Sequence, residues 1–69
     1  MPDPHALLRH HGLPVTAQRL AVLDAVAAHP HATADSIAEE VRSSLGTISR
    51  QSVYNVLGVL ADRGLVRRI

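Results

Sequence analysis

Gly46-Thr47-Ile48-Ser49-Arg50-Gln51-Ser52-Val53-Tyr54-Asn55-Val56-Leu57-Gly58-Val59-Leu60-Ala61-Asp62-Arg63-Gly64 is the stretch on which the reading of this chain turns. Gly46-Thr47-Ile48 is a tight link, and Ser49 carries the hydroxyl that an N-cap uses to accept from a free first-turn amide. A helix is predicted from there to Arg63, closed by Gly64 in the left-handed position. At about 100° per residue, Val53, Val56, Leu57 and Leu60 gather on one side, the side a core takes. The other side carries Gln51, Asn55, Gly58 and Asp62, flanked by Ser52 and Tyr54, with Ser49 and Arg50 at its N-terminal end. A merely solvated helix favours lysine and glutamate there, whereas Ser, Arg, Gln, Tyr and Asn hydrogen-bond base edges and phosphates. Gly58 leaves room for a close approach. Exposed helices also carry Ser, Gln and Asn without touching nucleic acid, and periodicity alone does not choose between the two readings.

Outward from this stretch, Thr33 is an N-cap for a helix over Ala34 to Leu45, in which Ile37, Val41 and Leu45 recur at i+4 and Asp35 sits in the first turn. Gly46 ends it. Two short helices joined by a glycine turn, the second exposing hydrogen-bonding residues in its N-terminal half, form a helix-turn-helix signature. Upstream, Thr16 caps a helix over Ala17 to Ala28, with an apolar face of Leu20, Leu23 and Ala27 flanked by Val22 and Val26, and His29-Pro30 stops it. The first helix runs from Pro4 to His11, and Gly12-Leu13-Pro14 supplies a left-handed cap, a hydrophobic contact and a stop. Downstream, Leu65-Val66-Arg67-Arg68-Ile69 is short and branched and is predicted to be a strand, the start of a wing. The expected fold is therefore mainly α: a winged helix-turn-helix of four helices followed by the first strand of a truncated wing.

Composition narrows the function classes. The 69 residues hold one small domain. Hydrophobic residues make up 46% and charged residues 19%, too apolar for a disordered tail. No stretch approaches the roughly 20 apolar residues of a membrane helix, so no membrane span is expected, and Met1-Pro2-Asp3-Pro4 has none of the marks of a secretory signal. The absence of cysteine excludes disulfides and thiolate metal sites within this chain and fits a cytoplasmic location. Net charge is only +1, but all seven basic residues are arginine, suited to bidentate phosphate and base contacts. An enzyme finds no support: no nucleophile stands with a base, no glycine-rich phosphate loop is present, and Glu39-Glu40 point different ways on their helix.

Four segments, in order, carry a resemblance: Gly12 to Leu23, His31-Ala32-Thr33-Ala34-Asp35, Ile48 to Leu57, and Gly64-Leu65-Val66. Together they are similar to the N-terminal DNA-binding domain of the ferric uptake regulator (Fur) family, and nearest to its actinobacterial, catalase-linked branch. The resemblance implies a transcriptional repressor of iron or oxidative-stress genes that binds an AT-rich palindromic operator of double-stranded DNA as a homodimer. It implies that residues 1–69 are the winged-helix domain, without the C-terminal metal-binding and dimerisation domain. Carried over position by position, Tyr54 would meet thymine methyls and bases, with Ser49, Arg50, Gln51, Ser52 and Asn55 reading bases or holding phosphate. Arg19 matches an arginine that contacts the DNA backbone; its alternative is a surface arginine paired with an acidic residue. His31 matches the one histidine this domain lends to a divalent metal site (Fe, Mn or Zn) in a full-length parent. No cofactor is expected in this fragment, where an exposed loop histidine is the simpler reading. Pro14 stands where the family often has a basic residue that enters the minor groove. The reading from another class is a winged-helix protein-interaction module that uses the same face without specific DNA binding.

Overall fold

Thr16, Thr33 and Ser49 each open a helix in the same way, the hydroxyl accepting the amide of the residue three positions on at 3.1 Å. The computed structural model describes residues 3–66. It contains α1 (Pro4–His10), α2 (Ala17–Ala28), α3 (Ala34–Leu45) and α4 (Arg50–Asp62). Asp3 opens α1, its carboxylate accepting the His5 amide at 3.1 Å, which lowers the Asp3 pKa below 3.8.

The ends of α1 and α4 are closed by one motif used twice. Leu13 donates to the Leu8 carbonyl at 2.9 Å and Gly12 to Arg9 at 3.0 Å; Leu65 donates to Leu60 at 2.9 Å and Gly64 to Ala61 at 3.0 Å. This Schellman pairing requires a left-handed residue, which glycine adopts without a Cβ clash, and Gly12 and Gly64 stand at φ +72° and +76°. Both helices stop one residue short of the expected His11 and Arg63, because these residues hold ψ at 10° and 3° and turn the chain out of the helix.

The strand expected over 65–69 is not seen among the described residues. Leu65 and Val66 form a bend, and Arg67-Arg68-Ile69 lie outside the described residues. The Leu65 amide, which a strand would offer to a neighbour, is used to close α4, and Leu65 and Val66 pack against the core.

α2 touches each of the other three helices, and α3 also packs on α4. A single apolar cluster results, drawing Leu8 from α1, Val22, Leu23 and Ala25 from α2, Ile37, Ala38 and Val41 from α3, and Val53 and Leu60 from α4, with Leu13 and Ile48 from the links. Among the described residues no polar or charged residue is buried. The expected α2 face needs one correction: Ala27 is exposed and Ala25 is buried, because a helix with three neighbours buries a face centred on Val22. On α4, Val53 and Leu60 are fully buried while Val56 and Leu57 are half-buried. That fixes which way the rest of α4 faces.

Candidate nucleic-acid interface

Ile48 at the end of the link and Val53 one turn into α4 are both buried. With these two anchored, Ser49, Arg50, Gln51 and Asn55 are exposed, and Ser52 and Tyr54 are half-buried. Six of the seven residues expected to meet DNA thus share the N-cap and the first two turns of α4. Their side chains are ordered by one another and by α3. Ser49 donates its hydroxyl to that of Ser52 at 2.9 Å while capping the Ser52 amide. Gln51 donates through Nε2 to Asn55 Oδ1 at 3.1 Å, a pairing one helical turn apart. That bond leaves the Gln51 carbonyl oxygen and the Asn55 amino group for a donor–acceptor pattern such as a base edge presents.

The other two residues are held by carboxylates. Arg50 Nη2 donates to Glu39 Oε1 at 3.3 Å. The Tyr54 hydroxyl donates to Asp35 Oδ1. This bond holds the Tyr54 hydroxyl above its ordinary 10.0; partial desolvation and the negative charge of Asp35 add to the shift, and the Arg50 cation opposes it. The sequence places Asp35 in the first turn of α3 and turns Glu39 away from Glu40, but gives neither a partner on α4. The available signal was their i, i+4 spacing, which puts both on one stripe of α3. Glu40, one residue on, is paired at 3.8 Å with His29 instead.

Arg19 stands apart on α2. Its Nη1 donates to the Pro14 carbonyl at 3.3 Å and its buried Nε has no hydrogen-bond partner, so its contact is a backbone oxygen rather than an acidic side chain. His31 lies exposed in the turn between α2 and α3. Among the described residues no three His, Cys, Asp or Glu side chains gather as a metal site would require, and the neighbouring His29 ring is turned to Glu40. The donors within these residues therefore do not fit a metal by themselves. Among the same residues, no helix is long and apolar enough to cross a membrane.

A helix-turn-helix pair, α3 and α4, with the outer face of α4 rich in hydrogen-bonding side chains, defines the class. Comparison with known proteins gives the family: the profile of the Ferric uptake regulator family matches residues 10–69, and the chain belongs to that family. It is 51% identical over its whole length to the transcriptional regulator FurA of Mycobacterium bovis, covering 47% of that protein. It is also 51% identical over 97% of its length to ferric uptake regulation protein 1 of Mycolicibacterium fortuitum, covering 42% of it. To the peroxide-responsive repressor PerR of Staphylococcus saprophyticus it is 37% identical over 97% of its length, covering 46%. The chain thus spans about half the length of the curated relatives it matches. No solved structure matches it.

Proposed function

We propose that this chain is the winged-helix DNA-binding part of a transcriptional regulator, a repressor of iron or oxidative-stress genes, with α4 as the helix that enters the major groove. The observation that carries the reading is the outer face of α4: Ser49, Arg50, Gln51 and Asn55 are exposed together while Val53 and Leu60 fasten the helix to the core. Such a helix, presented by its N-terminal half, suits base edges and phosphates. The names of the relatives, a transcriptional regulator and a peroxide-responsive repressor, support the same reading. Tyr54 contributes its ring to thymine methyls, Ser52 joins Ser49 on phosphate, and Arg19 takes a backbone phosphate beside Pro14. The ligand is an AT-rich palindromic duplex, bound in the cytoplasm by a homodimer of the whole protein. In that whole protein His31 would be one ligand of a divalent metal, the others coming from outside this chain.

Fluorescence anisotropy against an AT-rich palindromic duplex and a scrambled one, at low and high salt, tests this reading. Preference for the palindrome, weakening with salt as counterion release requires, is the expected result. Tyr54→Ala should abolish the preference while leaving the helical circular-dichroism signal in place. Unchanged palindrome preference in Tyr54→Ala would remove α4 from its role.

A further inference from the structure

The outer half of α4 offers one basic side chain, Arg50, and two acidic ones lie against it from α3: Glu39 on the Arg50 guanidinium and Asp35 on the Tyr54 hydroxyl. One positive against two negative charges makes the patch net acidic, although the chain as a whole is +1. We propose that Asp35 and Glu39 are a built-in competitor for DNA, holding Arg50 and Tyr54 in the free chain so that a duplex binds only by displacing them. The inference rests on the DNA-reading role given to α4 above.

The two contacts are of a kind that a duplex exchanges for its own. Arg50 uses one end of its fork on Glu39, and both side chains are exposed, 45% and 72%, so water weakens the pair. A phosphate or a guanine edge takes the guanidinium at two points and replaces that bond with a better one. Tyr54 has a single hydroxyl hydrogen, already given to Asp35, and it must leave Asp35 to donate to anything else. The cost of displacement is the same for every sequence. Phosphate contacts alone, available on any DNA, meet two carboxylates, whereas an operator adds base contacts that offset them. Asp35 and Glu39 therefore hold down binding to random DNA and to the operator by the same factor, setting how tightly the chain binds any duplex and leaving the preference to the base contacts.

Glu39→Gln is the first variant to make, since glutamine matches glutamate in helix propensity and the position is exposed. At low salt it should bind the scrambled duplex about two- to fivefold more tightly than the parent chain. The gain on the palindrome should be of the same size, and both should shrink at high salt as charges are screened. Glu40→Gln removes the same charge from the His29 side of α3 and should change neither. The Asp35 contact is read without DNA: Asp35→Asn should bring the tyrosinate absorbance titration of the lone tyrosine down toward pH 10. Duplex binding by the parent chain with no gain in Glu39→Gln, an equal gain in Glu40→Gln, or an unmoved tyrosine titration in Asp35→Asn overturns this inference and leaves the reading of α4 standing. No binding of any duplex by parent or variant overturns both.

Discussion

Tyr54 is the only aromatic residue of the chain, and there is neither lysine nor cysteine beside it. Arginine stays protonated, so Tyr54 is the one side chain that changes charge near pH 10. In the folded state its proton is held more tightly than in the unfolded chain, because Asp35 accepts from the protonated hydroxyl. Raising the pH therefore deprotonates the unfolded chain first. The stability contributed by this bond is complete below about pH 10 and is lost as pH rises through the folded-state titration. Urea midpoints measured on either side of pH 10 should fall in the parent chain and stay together in Tyr54→Phe; equal falls in both would mean that the hydroxyl is free in solution. The position of Tyr54 at the flank of the outer face, where it is half-buried against the core, was legible in the sequence, since it depends only on helical period. Its partner 19 residues away and the Arg50 partner 11 residues away were not, because they depend on how α3 crosses α4.

Helix boundaries were legible for a different reason: capping is chemistry between near neighbours. Thr16, Thr33 and Ser49 each cap where a hydroxyl precedes an apolar period, and Thr33→Ala should cost about 1 kcal/mol in a thermal or urea melt. The strand expected over 65–69 is not seen at its described residues, Leu65 and Val66, since a strand exists through its neighbour, whereas Leu65 spends its amide on Leu60 within the same turn. Two glycines of this region separate backbone effects from contact effects. A Cβ at either Gly58 or Gly64 would meet nothing within 4 Å, but Gly64 is at φ +76° and Gly58 is helical. Gly64→Ala should thus destabilise the chain by about 1–2 kcal/mol through strain alone. Gly58→Ala should stabilise it by about 0.5–1 kcal/mol, alanine losing less backbone freedom on folding. If α4 lies against DNA at Gly58, the same substitution weakens duplex binding, so that stability and affinity move in opposite directions.

At the scale of the molecule, stability is small and widely shared. A domain of this length is stable by roughly 3–10 kcal/mol, and the core gathers at least one residue from every helix. The two Schellman ends are also tied together, Arg63 Nη1 of the α4 cap donating to the His11 carbonyl of the α1 cap at 2.8 Å across 52 residues. Leu60 stands at the meeting of these features, fully buried and with its carbonyl accepting the Leu65 amide. Leu60→Ala removes methyl groups from that centre and should cost about 2–5 kcal/mol, a large part of what the domain has. Its circular-dichroism melt should be lowered strongly or lose its transition, and duplex binding should fall for both palindrome and scramble. Val59→Ala, one residue away at 37% exposure, should leave the melt nearly in place. On the proposed role of α4, Leu60→Ala should lose binding because the scaffold goes, and Tyr54→Ala because the DNA contact goes while the helices remain. A Leu60→Ala chain that melts like its parent would mean that α4 is not fastened through this residue, and the outward face assigned to Ser49, Arg50, Gln51 and Asn55 would lose its physical basis.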